Sequence, residues 1–212
     1  MDKGISRETL KRLPLYWNYL KALPEEGQEN VSATTIASAL DLYDVQVRKD
    51  LACVSSKGKP KIGYATKELI SDIEDFLGYN NSDSAALVGT GNLGTALMSY
   101  VGFAEYGLNI CVAFDANPKV VGTKIRGKEI LSVSTLRQVC REMQIRIGII
   151  TVPAEKAQEV CDELIAGGVM AIWNFAPVKL KVPEDILVQN ENMAVSLAVL
   201  SKHLQEKLQE EK

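Results

Sequence analysis

Residues 85–97, Ala85-Ala86-Leu87-Val88-Gly89-Thr90-Gly91-Asn92-Leu93-Gly94-Thr95-Ala96-Leu97, carry the densest chemical signal in the chain. An apolar run leads into a glycine-rich turn, and a helix-forming segment follows at once. Glycine at 89 permits a tight turn, glycine at 91 lets backbone approach a pyrophosphate, and glycine at 94 lets the new helix pack close to its strand. The helix start then offers free N–H groups and a positive dipole end to an anion. A strand-to-helix turn with no ligand uses the same glycines, so the surroundings decide. Asp115 ends a second apolar run, 109–114, and stands twenty-six residues past Gly89. A dinucleotide fold places an acid there for the adenosine ribose hydroxyls. A carboxylate would repel a 2′-phosphate, which favours NAD(H) over NADP(H), although Arg126 and Lys128 are cations that could accept one. Thr151-Val152-Pro153 and Asn174-Phe175-Ala176-Pro177 follow two further apolar runs, where open parallel sheets bind ligands.

What is missing beside this loop is equally informative. A dehydrogenase needs a proton donor or acceptor near the reacting carbon. The single histidine, His203, sits among Lys202 and Gln205 near the end of the chain, and no Tyr-x-x-x-Lys pair occurs. No catalytic residue is assigned. About 130 residues of nucleotide fold leave no room for a substrate domain, so the chain is expected to hold a dinucleotide as a signal.

The elements that must position these residues alternate. Apolar runs at 85–88, 109–114, 146–151, 169–175 and 186–189 alternate with helical segments at 91–98, 134–143 and 154–166. This predicts a parallel sheet covered on both faces. Asn117-Pro118 starts a short turn or helix.

The chain ahead of this sheet reads differently. Ile5, Leu10, Leu13, Tyr16, Trp17 and Leu20 recur at helical spacing, Pro14 marks a second helical start, and Pro24 and Gly27 close the segment. Ser32 is expected to cap a helix over 33–40, whose Ile36, Ala37 and Leu40 face inward. After the turn Asp41-Leu42-Tyr43, Asp44 caps a second helix over 45–53, with Val45, Leu51 and Ala52 inward and Gln46, Arg48 and Lys49 outward. Two short helices across a tight turn read as a helix-turn-helix. Residues 55–64, with Lys57, Lys59, Lys61, two glycines and Pro60, fit a β-hairpin wing with cations at its tip. Thr66 caps a helix over 67–77, with Leu69, Ile70, Ile73, Phe76 and Leu77 on one face, ended by Gly78.

Composition bounds the partners. The 212 residues carry a net charge of −3, yet residues 48–67 hold six basic groups against Asp50 alone. One concentrated basic segment on an acidic chain points to a local anionic partner. No apolar run reaches membrane-spanning length and no signal peptide opens the chain, so no membrane partner and a cytoplasmic location are expected. Cys53, Cys111, Cys140 and Cys161 lack CxxC spacing and are expected to be buried free thiols with no metal site. In the tail, Ala194, Leu197, Ala198, Ser201, Leu204 and Leu208 trace one helical face, widened by Val195, Val199 and Leu200. So broad an apolar face predicts a dimerisation element set against a partner subunit, the alternative being docking on its own domain. The expected organisation is a DNA-binding domain over 1–78, a linker over 79–83, a Rossmann domain over 84–190 and a dimerisation helix over 191–212.

Arg12-Leu13-Pro14-Leu15-Tyr16, Val47-Arg48-Lys49-Asp50-Leu51, Gly63-Tyr64, the Gly89–Gly94 loop, Phe114-Asp115, Thr151-Val152-Pro153 and Asn174-Phe175-Ala176-Pro177, in this order, resemble the Rex family of redox-sensing transcriptional repressors. The resemblance spans essentially the whole chain. It implies an α/β homodimer: a winged helix-turn-helix, a Rossmann-like parallel-sheet domain and a C-terminal helix swapped between subunits. It also implies binding to inverted-repeat operator DNA when NADH is scarce, release by NADH, and competition by NAD⁺. The expected cofactor contacts are Gly89, Thr90, Gly91, Asn92, Leu93, Gly94, Asp115, Thr151, Pro153, Phe175 and Pro177. The expected DNA contacts are Ser32, Gln46, Arg48, Lys49, Lys57, Lys59, Lys61, Gly63 and Tyr64.

The chain departs from the family in places. Val54 and Ser55 stand where an aromatic and a glycine are usual, and Lys59-Pro60-Lys61 where glycine is more usual. Asn18 and Asn192 replace an Arg–Asp pair, and Met193 replaces an aromatic near the nicotinamide. Two other readings compete: a small NAD-dependent oxidoreductase with an N-terminal interaction domain, and a nucleotide-binding structural subunit whose winged helix binds protein.

Overall fold

The computed structural model describes residues 5–24, 29–81 and 83–210. Gly27 and Ser82 lie outside the described residues, as does the side chain of Met193. The chain forms two compact units, Met1–Asn81 and Ser82–Lys212.

The first unit contains α1 (Arg7–Lys21), β1 (Asn30–Val31), α2 (Ala33–Ala39), α3 (Asp44–Val54), β2 (Tyr64–Ala65) and α4 (Thr66–Leu77). Pro14 starts no second helix; α1 runs through it. A mid-helix proline costs about 3 kcal/mol. Leu13 and Tyr16 on either side are fully buried, and their packing against the unit's core outweighs that cost. Ser32 caps α2, its hydroxyl accepting the Thr35 N–H at 3.0 Å. Asp44 does not cap α3. Tyr43 occupies the cap position without a side-chain bond, and Asp44 pairs with Arg48 one turn on. Thr66 is likewise the first residue of α4, with Ala65 at the cap. Gly78 ends α4 in the left-handed conformation, φ 74°.

The inward face of α3 differs from the expected one. Val45 and Ala52 are exposed, whereas Val47, Asp50 and Leu51 are buried. Asp50, 4 % exposed, is buried because it is fully partnered. Arg12 Nε and Nη2 donate to its two oxygens at 2.7 and 2.9 Å, Tyr16 Oη donates at 2.7 Å and Thr9 Oγ1 at 3.0 Å. These bonds join α1 to α3. Burial pushes the Asp50 carboxyl upward, but hydrogen bonds from Arg12, Tyr16 and Thr9 outweigh it and hold the group below the usual carboxylate range. The Tyr16 hydroxyl is pushed up to about 12 by burial and by its bond to Asp50.

The wing is pinned at its base. β2 pairs antiparallel with β1, and within 55–64 the only described bridge joins Lys59 to Gly63. Between them Lys59-Pro60-Lys61-Ile62 makes a tight turn, closed by the Ile62 N–H on the Lys59 carbonyl at 3.2 Å, with Lys61 at φ 65°.

The second unit is a seven-stranded sheet. It is built from β3 (Asp83–Val88), α5 (Asn92–Ser99), β4 (Leu108–Asp115), β5 (Lys124–Ile125), β6 (Lys128–Ser132), α6 (Leu136–Glu142), β7 (Ile147–Ile150), α7 (Ala154–Ala166), β8 (Ala171–Asn174), β9 (Leu187–Asn190) and α8 (Met193–Glu210). The strand order is β5-β6-β4-β3-β7-β8-β9, parallel throughout except for the β5–β6 edge hairpin. Connections leave β3 in opposite directions on its two sides, which is the doubly wound plan. One face packs Val88, Phe114 and Ile150 against Leu136, Cys140, Cys161 and Leu164 of α6 and α7. The other packs Leu87, Ala113 and Ile149 against Met98 of α5. Cys140 and Cys161 are buried and their thiols pushed up to about 11 by burial, but Cys53 is exposed, contrary to expectation.

The β5–β6 hairpin is not foreshadowed in the sequence reading. It places Arg126 at its turn and Lys128 at the start of β6, where Lys128 Nζ donates to the Ile110 carbonyl and to Asn109 Oδ1. Both cations thus stand at the amino ends of the strands, away from Asp115 at the carboxyl end of β4. Within the single chain α8 leaves Val195, Leu197, Val199, Leu200, Leu204 and Leu208 each more than half exposed. No described helix is long and apolar enough to cross a membrane.

Breaking the Asp50 network strands Arg12, so Asp50→Asn should destabilise the first unit by about 3 kcal/mol. Because the folded Asp50 pKa is lowered, its contribution is complete above its ordinary value near 4 and is lost as pH falls through the lowered value. The chain has two tryptophans, so in a Trp173→Phe background Trp17 alone reports on this unit. Its fluorescence in urea should show a gap between parent and Asp50→Asn that shrinks below pH about 4. A gap independent of pH would mean that Asp50 does not carry its charge there.

Candidate nucleotide cleft and nucleic-acid interface

The glycine loop sits at the carboxyl end of β3 and runs into α5. Gly94 is buried in the first turn of α5, and a Cβ there would stand 1.9 Å from the Gly89 carbonyl oxygen. No other residue fits. The loop is braced from β7 by Thr151, whose Oγ1 lies 2.6 Å from the Gly89 carbonyl oxygen and 3.0 Å from that of Val88. Gly91, at the cap of α5, is different: a Cβ there would meet no protein atom within 4 Å. Protein packing does not require this glycine. The space it leaves open, in front of the free N–H groups of α5, is what a phosphate needs for close approach.

Beside the loop lies a cleft of about 690 Å³ that collects Gly89, Gly91, Asp115, Thr151 and Pro153. Its volume is in the range of small-molecule sites. Val88, Val133, Val152 and Val160 give it apolar walls, and Ser134, Lys156, Glu159 and Glu163 are polar groups along it. Asp115 Oδ2 accepts from the Thr90 N–H and from Thr90 Oγ1, both at 2.7 Å, and Oδ1 accepts from the Asn117 N–H at 2.8 Å. Burial pushes this carboxyl upward, but the bonds from Asn117, Thr90 and Ala116 overcome that and lower its pKa. It is an ionised acceptor with its orientation already set.

The remaining candidates lie off the cleft. Thr90 reaches it only through Asp115, Asn92 and Leu93 begin α5, and Gly94 is packed beneath the loop. Phe175 packs against Trp173 with the rings tilted by 51° at 4.8 Å, Trp173 meets Phe103 edge-on at 5.6 Å, and Phe103 meets Tyr100 edge-on at 4.9 Å. Pro177 is exposed on the following loop. That loop is shaped by Asn174, whose fully buried amide donates to the Ala176 and Val178 carbonyls and to Asn190 Oδ1. Val133 and Ser134 also line the cleft without a sequence signal that marks them. They follow β6, a strand whose only buried side chain is Ile130, too little pattern to place them.

In the first unit a groove of about 510 Å³ gathers Ser32, Arg48, Lys59, Lys61, Gly63 and Tyr64. Three cations line it and no carboxylate does. Gly63 is required there, because at φ 89° its Cβ would stand 2.2 Å from the Val31 carbonyl oxygen. The Tyr64 ring covers Gly58 so closely that a Cβ there would lie 2.7 Å from it, which packs the wing's first arm against its own base. Lys49 is exposed and Gln46 half-buried on α3, outside the groove. Lys57 is not at the wing tip with Lys59 and Lys61; its Nζ is held by Asp72 of α4 at 2.7 Å. Thr9, Arg12, Tyr16 and Asp50, which set the pose of α3, escaped the sequence reading as an interacting group. A buried carboxylate amid surface-type residues has no local signature.

Comparison with known proteins agrees with both halves. A family profile described as a putative DNA-binding protein N-terminus matches residues 4–52, and one described as a CoA binding domain matches residues 80–178. The redox-sensing transcriptional repressor Rex of Bacteroides fragilis is 40% identical over 200 residues, covering 94% of this chain and 91% of that one. Its counterpart from Clostridium beijerinckii is 43% identical over 198 residues, covering 93% and 94%. Among solved structures, RSP in complex with β-NAD⁺ and operator DNA superposes with a TM-score of 0.91 at 32% identity, covering 99% of this chain and 97% of that one. RSP in complex with β-NADH gives 0.88 at the same identity, covering 99% of each. RSP is described as a Rex-family repressor. Identity of this depth, sustained from the helix-turn-helix through the glycine loop, shows that the chain belongs to the Rex family of redox-sensing transcriptional repressors.

Proposed function

We propose that this chain is a transcriptional repressor that reads the NADH/NAD⁺ balance, occupying operator DNA when NADH is low and leaving it when NADH binds. The observation that carries this reading is the Gly91 opening beside the pre-ionised Asp115. One accommodates a pyrophosphate at a helix start, and the other suits two ribose hydroxyls. The free N–H groups of Asn92, Leu93 and Gly94 would hold the pyrophosphate, while the valine-walled cleft receives the adenosine end. Thr151 and Pro153 border it, and Phe175 and Pro177 stand at the neighbouring strand exit, towards which the nicotinamide end would extend. Bound NADH supplies no chemistry in this reading. Its free energy selects between two arrangements of the chain, and the protein is not an enzyme.

The DNA contacts fall on Arg48, Lys49, Lys59 and Lys61, with Ser32, Gln46, Gly63 and Tyr64 at their margins. Lys57 serves the wing base through Asp72 instead. Homodimerisation through α8, whose apolar residues are exposed in the single chain, would give two recognition helices for an inverted repeat. A switch from nearly all of one state to nearly all of the other needs about 5.5 kcal/mol of differential NADH affinity. By reciprocity, operator DNA weakens NADH binding by the same factor.

At fixed salt, saturating NADH should lower operator affinity by at least tenfold, and NAD⁺ should reverse this by competition. Operator affinity indifferent to NADH would overturn the sensor reading, and turnover of NADH with any hydroxy or oxo substrate would overturn the non-enzymic one. Arg48→Ala and Lys49→Ala should each weaken operator binding and reduce its salt slope by about 1. NADH titrations of both variants should match the parent, whereas joint loss of the two activities would indicate a folding fault.

A further inference from the structure

Thr90 occupies the variable position between the first two glycines of the loop, and the glycine pattern does not specify its side chain. In the structure that side chain has a defined task. Its hydroxyl and its own N–H converge on one oxygen, Asp115 Oδ2, at 2.7 Å each. The Thr90 peptide is itself held, since Thr95 Oγ1 of α5 donates to the Thr90 carbonyl at 3.0 Å. Asn117 N–H occupies the other carboxylate oxygen at 2.8 Å. The carboxylate plane is therefore fixed at both ends.

We propose that the Thr90 hydroxyl is a positioning group that locks Asp115 in place and so sets the discrimination between NADH and NADPH. This rests on the assignment of Asp115 to the adenosine ribose. Without the hydroxyl, Oδ2 is held by the Thr90 N–H alone while Asn117 keeps Oδ1, so the Oδ2 side of the carboxylate can swing away from a 2′-phosphate by breaking one bond. A second, charge-assisted bond from the same residue to the same oxygen removes that freedom, because turning away breaks both. NADH gains a pre-oriented acceptor for its ribose hydroxyls, and NADPH meets a charge that cannot retreat. Relief from other cations is limited. Arg126 and Lys128 stand at the amino ends of the strands, and Lys156 in the cleft is paired with Glu159 at 3.1 Å. The bonds that keep Asp115 ionised also keep it from accepting a 2′-phosphate by protonation near neutral pH.

The test is a calorimetric titration of the full chain with NADH and with NADPH. The variants are Thr90→Val, which keeps the shape without the donor, Thr90→Ala, which removes the donor with less bulk, and Thr90→Ser, which keeps it. Thr90→Val and Thr90→Ala should narrow the ratio of NADPH to NADH dissociation constants by about tenfold, equivalent to 1.4 kcal/mol. Thr90→Ser should restore it. A purely structural role for Thr90 would weaken both nucleotides alike and leave the ratio unchanged, which would overturn the proposal, as would a Thr90→Ser ratio no better than that of Thr90→Val. If the parent chain binds NADH but the variants keep its ratio, only the role of Thr90 falls. If the parent binds no NADH, the nucleotide-sensor reading falls with it.

Discussion

The close approach of the first turn of α5 to the exit of β3 is the constraint on which the nucleotide unit depends. The Gly89 carbonyl lies where a side chain at 94 would begin, so the helix can start there only because Gly94 has none. That start places the α5 N–H groups at the carboxyl edge of the sheet, between β4 and β7, where the connections diverge. Asp115 from one neighbouring strand and Thr151 from the other then reach the loop from opposite sides. Both contribute polar atoms to the loop before any ligand does. The cleft is consequently preformed, and little ordering of this loop is left for a nucleotide to induce.

The N-terminal unit depends on a different kind of interaction. Its helix α3 carries an acid on its inward face, and α1 supplies Thr9, Arg12 and Tyr16 to satisfy it. A buried ion pair of this kind adds little stability over an apolar packing of the same volume, but it is costly to break. Its geometric effect is clearer. Four bonds from one helix to a single carboxylate hold α3 at a set depth, so Arg48 and Lys49 project together from the opposite face. The wing is similarly tethered, by Lys57 to Asp72, which leaves Lys59 and Lys61 as its outward cations. Lys61 adopts a left-handed conformation, uncommon for a residue with a side chain, within a turn that favours glycine. The lysine is retained there despite the preference for glycine.

Carboxylates therefore act as internal organisers in both units. Asp50 and Asp115 are each half-buried or more, each accepts several hydrogen bonds, and each is held below the usual carboxylate range. They differ in what remains free. Asp50 is enclosed by its partners and serves structure alone. Asp115 faces a cleft and keeps lone pairs for a ligand.

The sequence by itself determined the doubly wound sheet, the glycine loop and the capped α2. Each rests on local signals: apolar runs separated by helical periods, glycines at fixed offsets, and a serine three residues before the N–H it caps. It also placed Asp115, because the distance from Gly89 follows from one helix and one strand. Tertiary structure alone decided the rest. Pro14 stays inside α1 because neighbouring side chains pack on both sides of it. Asp50 turns inward because partners more than thirty residues away reach it. Lys57 turns to α4 because Asp72 is there, while Arg126 and Lys128 leave the site because a short edge hairpin carries them to the other end of the sheet. In each case the deciding energy comes from contacts between residues far apart in the chain, which no local pattern of side chains records.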